Sequence, residues 1–206
     1  LVLVTAGLKA TISVASTFQK SISELSAITG ATGDDLEFLS DQAKELGRST
    51  TLSASEVAEG FKLIASAKPD LLESGAALTE VTTQAITLAE AAGITLPEAA
   101  TALGGALNQF QADASEAGRF INVLAAGSQK GASEIPELTQ ALKTAGTVAA
   151  GAGLSFETTI ASIETLAEVN LKGAEAGTNL RNVILRLQKE GVDQLNPKVV
   201  GLTTAL

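Results

Sequence analysis

The chain has 206 residues and a net charge of −9, and 45% of it is hydrophobic but only 3% aromatic, so its apolar mass is Ala, Leu, Ile and Val. Cys, His, Met, Trp and Tyr are all absent, which excludes disulfides, zinc sites, and thiolate or imidazole chemistry. The negative field repels phosphate backbones, so composition gives no electrostatic drive toward nucleic acid.

Apolar spacings of three and four dominate, and strand-like alternation is nearly absent. In the first segment Leu8, Ile12, Ala15, Phe18, Ile22, Leu25 and Ile28 line one face of a long helix, which Gly30 and Gly33 end. Its most apolar stretch, Leu1 to Phe18, is interrupted by Lys9, Thr and Ser, so no run of ~20 apolar residues predicts a membrane span. The second segment carries Leu36, Leu39, Ala43 and Leu46. It opens near Thr32 with Asp34 and Asp35 in its first turn and is expected to stop at Gly47.

The third opens on a capping box, Ser53 with Glu56, carries Val57, Phe61 and Ile64, and breaks at Lys68-Pro69. The fourth stripe is Leu78, Val81, Ala85, Leu88 and Ala92, closed by Gly93. Thr95-Leu96-Pro97-Glu98 is the clearest helix start: a Thr cap, Pro in the first turn and Glu closing the box, followed by Leu103, Ala106, Leu107 and Phe110. Asp113 with Glu116 is expected to cap a sixth helix bearing Phe120, Ile121 and Leu124. Ser133 is expected to begin a seventh, with Leu138, Leu142 and Ala145, and Ser155 an eighth, with Ile160, Ile163 and Ala167. The ninth is expected from about Gly177 to Glu190, with Leu180, Ile184 and Leu187, ended by Gly191.

The pattern predicts an all-α fold: about nine amphipathic helices joined by short Gly/Pro/Ser/Thr turns in a compact helical bundle. We divide it into a leading long helix at 1–29, a core helical domain at 30–191, and the start of a following segment at 192–206. The sequence begins at Leu1 with no initiator Met and ends at Leu206 in mid-pattern, so it is expected to be a segment of a longer polypeptide. The starts Leu52-Ser53, Ile94-Thr95 and Leu154-Ser155 echo one another, but their unequal intervals do not support a regular solenoid period.

Candidate chemistry is sparse. Without His there is no Ser–His triad, and no Ser lies three residues before a Lys. Asp34 and Asp35 sit where a helix N-terminus welcomes negative charge, and Glu73, Glu80 and Glu90 fall on solvated faces. Gly151-Ala152-Gly153 lacks the Lys of a phosphate-binding loop and is expected to be a helix-ending linker. Lys172, Arg181, Arg186 and Lys189 form a basic cluster, whose last two members complement a helix C-terminus. No catalytic, cofactor-binding or metal-binding residue is assigned.

The order of pieces resembles the core region of phage tail tape measure proteins. The matching stretches are ITGATGDDLEFLSDQAKELGRSTTLSASEVAEGFKLIASA, Ile28 to Ala67, and GLSFETTIASIETLAEVNLKGAEAGTNLRNVILRLQ, Gly153 to Gln188. They carry the Gly30-Ala31-Thr32 turn, Leu46-Gly47, the Ser-x-x-Glu-Val-Ala start at Ser53, and the Ala-Gly-Thr-x-Leu-Arg block from Ala176 to Arg181. Ala65-Ser66-Ala67-Lys68-Pro69 departs from the pattern, which usually places an Ala-Gly pair there.

The resemblance implies a structural, non-enzymatic virion protein of the tail lumen, present in host cytoplasm during assembly. It would set tail length and leave with or ahead of DNA. Implied partners are the tail tube protein, tail assembly chaperones and baseplate or distal tail hub proteins, with self-association in three or six copies; the net charge predicts no specific nucleic-acid binding, and the hydropathy no membrane contact in this segment. Gly104-Gly105 and Gly173 to Gly177 are expected to let neighbouring copies approach closely. The rival readings are a secreted or surface adhesin-like helical bundle, and a peptidoglycan-cleaving domain, for which the residues supply no workable constellation.

Overall fold

Helix starts in this chain are written locally, and a computed structural model, which describes the backbone of residues 2–189 and the side chains of residues 14–189, places them. Among the described residues there are nine α-helices and no strand. They are α1 Val2–Thr29, α2 Gly33–Ser49, α3 Ala54–Ala67, α4 Gly75–Ala92, α5 Leu96–Gln109, α6 Ala117–Lys130, α7 Ile135–Gly151, α8 Phe156–Glu168 and α9 Gly173–Lys189. Two short 3₁₀ turns, Pro69–Glu73 and Ala114–Glu116, lie between them.

The predicted boxes at α3 and α5 form. The Ser53 N–H donates to Glu56 Oε2 at 2.7 Å while the Glu56 N–H donates back to Ser53 Oγ at 3.3 Å. Thr95 and Glu98 repeat the exchange at 2.9 and 3.4 Å, satisfying N–H groups that a helix start leaves unpaired. Ser155 caps α8 by accepting from the Thr158 N–H at 3.1 Å. Gly93 ends α4 with φ +66°, and Gly153 follows α7 with φ +76°, a left-handed conformation that glycine adopts without steric cost.

Each helix packs on its chain neighbours and also on the helix two places away. The series α1, α3, α5, α7 and α9 makes one run of contacts, and α2, α4, α6 and α8 a second. This is a bundle built as two layers, with the core between them. Leu25, Phe61, Ile64, Leu78, Leu103, Leu107, Leu124, Leu138 and Ile163 are all buried there. Where α5 ends and α6 and α8 meet, Phe120 stacks on Phe156 with ring centroids 4.1 Å apart, and Phe110 meets both edge-on.

Several boundaries differ from those the sequence predicts. Gly47 does not stop α2, which runs on to Ser49. A Cβ at Gly47 would lie 2.7 Å from the Ala54 backbone nitrogen, so the glycine admits the incoming start of α3. Asp113 makes no side-chain cap bond, and the 3₁₀ turn after it delays α6 to Ala117. Ser133 is buried and precedes the true start of α7, where the Glu134 N–H donates to Glu137 Oε2 at 3.0 Å. The ninth helix begins at Gly173, four residues before the expected start, because Gly177 faces α7 inside the helix. Ala15, Ile28 and Ala92, assigned to apolar stripes, are exposed. The side chains of Leu8 and Ile12, residue Glu190, the stop at Gly191 and the segment 192–206 lie outside the described residues.

Candidate functional site

The residues singled out by sequence do not come together. Asp34 and Asp35 are exposed in the first turn of α2, where the helix dipole favours them. Gly151, Ala152 and Gly153 form the α7–α8 turn, in which the Leu154 N–H donates to the Ala149 carbonyl at 3.0 Å. Glu73, Glu80 and Glu90 are exposed. Of the basic cluster, Lys172 pairs with Glu137 of α7 at 3.5 Å, while Arg181, Arg186 and Lys189 lie exposed on α9.

Two other ion-pair groups, centred on Lys62 and Arg119, tie one helix to another. Lys62 of α3 reaches Glu24 of α1 at 3.1 Å and also holds Glu59. Glu59 chiefly, helped by Glu24, raises the Lys62 pKa, and the Lys62 hydrogen bond holds Glu24 below the usual carboxylate value. Arg119 of α6 bonds Glu157 at the start of α8 and Glu116 below it, and both carboxylates raise its pKa. Burial pushes the Glu157 carboxyl up, but its own backbone N–H and Arg119 outweigh that, and the net shift is downward. Lys68, in the break before Pro69, is buried and donates to Asp70 Oδ2 at 2.5 Å, which lowers the Asp70 pKa.

The sequence reading missed Glu164. It occupies the buried stripe of α8 with Ile160, Ile163 and Ala167, at helical spacings of three and four, and that spacing was the available signal. Its Oε2 accepts the backbone N–H groups of Ala132 at 2.7 Å and Ser133 at 3.1 Å. Gly131 is required beside it, since a Cβ there would fall 1.9 Å from Oε2. Glu164 thus holds the α6–α7 turn onto α8 through two backbone donors, that of Ser133 buried and that of Ala132 partly so. Its Oε1 and the Ser133 hydroxyl have no hydrogen-bond partner.

One open groove of about 590 Å³ lies between the α2–α3 and α4–α5 turns. Leu52, Ile94 and Pro97 give it an apolar floor, and Glu56, Glu59 and Glu90 stand among its lining residues. Among the described residues, no group of three or more Asp or Glu is placed to hold a metal ion, and no helix is long and apolar enough to cross a membrane.

The family model of the phage-related minor tail protein matches residues 40–204. The chain is 34% identical over 180 residues to a tape measure protein of Pneumococcus phage Dp-1, covering 87% of this chain and 15% of that protein. It is 34% identical over 173 residues to a probable tape measure protein of Escherichia phage P2, covering 83% of this chain and 21% of that one. A probable tape measure protein of Clostridium phage phiCD119 is 28% identical over 90% of the chain. The chain spans only 15 to 21% of the length of these relatives. No solved structure matches it. The match runs from within α2 through α9, across both helical layers, and on that ground the chain belongs to the phage-related minor tail protein family, that of the tape measure proteins of bacteriophage tails.

Proposed function

We propose that this chain is a folded domain of a tape measure protein, with a structural role in tail assembly and DNA ejection, while the length-setting helices lie elsewhere in the full protein. The observation that carries this is the combination of the family match with a folded-back, two-layer fold. As one extended helix, 206 residues would span roughly 300 Å at ~1.5 Å per residue. The longest helix here has 28 residues, about 40 Å by the same rise. A chain that turns back on itself between successive helices does not report tail length in proportion to its residue number.

The tail lumen is the proposed location, with the tail tube protein, tail assembly chaperones and baseplate or distal tail hub proteins as partners. The net charge of −9 supports a surface past which DNA moves without adhering. The domain acts through shape and surface, not catalysis. An in-frame deletion of 18–188 in the phage tests this. Failed assembly or non-infectious particles are expected. Viable phage with tails shortened in strict proportion to the residues removed would make the segment part of the ruler and overturn the proposal.

A further inference from the structure

The small-residue faces from which close contact between copies was expected are largely spent inside the molecule. A Cβ at Gly104 would meet the Ala67 Cβ at 2.8 Å, and one at Gly177 would meet the Ala141 carbonyl oxygen at 2.4 Å. Two other surfaces remain open, and they are complementary. The groove between the α2–α3 and α4–α5 turns has an apolar floor and three carboxylates, and no lysine or arginine lines it. Glu59 alone is neutralised, by Lys62. Glu90 accepts only the Thr51 hydroxyl, at 3.2 Å, and Glu56 is held in its capping box.

The outward face of α9 is the counterpart. Gly173, Ala176, Gly177, Leu180 and Ile184 are the buried residues of that helix. At 100° per residue Leu185, Arg186 and Lys189 fall away from that buried face and Arg181 on its flank, all exposed. Leu185 is 39% exposed and neighbouring Val183 38%, among the few large apolar side chains left in water. No ion pair reaches Arg181, Arg186 or Lys189 among the described residues. We infer that the groove receives the outward face of α9 from a second copy of this chain, Leu185 entering over Leu52 and Ile94 while the α9 cations face Glu56 and Glu90.

The two patches lie on different elements, so each copy offers one of each and the contact is heterologous. Copies join head to tail and close as a ring or continue as a row. Opposite charge steers the encounter and fixes which patches meet, and salt weakens it.

Sedimentation velocity on the 206-residue chain across a range of concentration and salt tests the inference. Reversible association that weakens with salt is expected. Glu90→Arg and Arg186→Glu should each lower the association constant about tenfold or more, with helical circular dichroism unchanged, since both residues are exposed. Mixing the two variants should restore a complex that stops at one copy of each, because each retains one intact patch. Leu185→Asp, a replacement on the outward face, should abolish association and serves if Glu90→Arg disturbs the Thr51 turn. A monomer at every concentration, association indifferent to these changes, or a mixture that fails to pair would each overturn it.

Discussion

The two ends of the molecule are joined by opposite means. α1 rests on α3 through large side chains: Leu25 and Phe61 are fully buried, Phe18 and Ile22 pack at the margin, and Lys62 bridges to Glu24. α9 meets α7 at a close approach of the two backbones, beside the buried Leu180 and Ile184. Ala141, Ala145 and Ala176 are fully buried, and the Gly177 Cα sits so near α7 that an added Cβ would fall 2.4 Å from the Ala141 oxygen and 2.9 Å from its Cα. Large side chains repack through rotamers, whereas two backbones in contact have no torsion left to adjust. The first contact should lose stability when a side chain is removed, and the second when one is added.

Truncation at the first contact gives the largest expected effect. Phe61→Ala should cost about 3 to 5 kcal/mol through lost burial and an unfilled cavity, read as a lowered urea midpoint. A cost below about 1 kcal/mol would mean that α1 and α3 collapse onto the vacancy, and the contrast would fail. Addition at the second contact comes next. Gly177→Ala should destabilise by about 1 to 3 kcal/mol, even though alanine is ordinarily the better helix former by about 1 kcal/mol. An unchanged or raised midpoint would show that α7 and α9 separate freely.

This difference also decides what the sequence discloses. The contacts made by large residues are written as periodicity, and Leu25, Phe61, Leu103 and Ile163, all on apolar stripes of the sequence, are buried. The helix starts at Ser53, Thr95 and Ser155 were legible for a similar reason, since each cap and its partner lie within three residues. Contacts made by backbone leave no such mark. Gly47 and Gly177 look like helix boundaries, because a glycine that ends a helix and one that admits a neighbour are the same letter. Ser133 and Asp113 have the residue type that suits a helix start, but what lies beyond the turn, Glu164 in one case and a 3₁₀ turn in the other, governs the outcome. The groove was invisible for the same reason, since its lining comes from two turns some forty residues apart in the chain.

The capped start of α3 sharpens the comparison at lower energy, because it supports the side-chain-rich end with bonds independent of packing. Ser53→Ala should cost about 1 kcal/mol. The backbone N–H and the hydroxyl of Ser53 hold the Glu56 carboxyl below its usual value, so the folded state prefers the ionised form. That contribution is complete at neutral pH and is lost as acidification passes through the ordinary carboxylate range and then the lowered folded value. Glu56→Gln should therefore flatten the fall of stability between about pH 5 and pH 3 relative to the parent chain. Identical acid slopes in the two proteins would remove the box from the account.

The smallest effect has the opposite sign and tests the same idea on one dipeptide. Gly104 and Gly105 are adjacent in α5 and indistinguishable in sequence, yet they face different surroundings. A Cβ at Gly104 would come within 2.8 Å of the Ala67 Cβ at the end of α3, while nothing lies within 4 Å of the position a Cβ would take at Gly105. Gly105 has no positive φ to favour glycine. Alanine there should only remove backbone freedom from the unfolded chain, and Gly105→Ala should stabilise by about 0.5 to 1 kcal/mol. At Gly104 the same gain is set against a contact that must open by several tenths of an ångström, so Gly104→Ala should be the less stable of the pair. Paired urea titrations decide this: if Gly105→Ala destabilises, or if the two variants shift together, then helix approach is not what distinguishes these glycines.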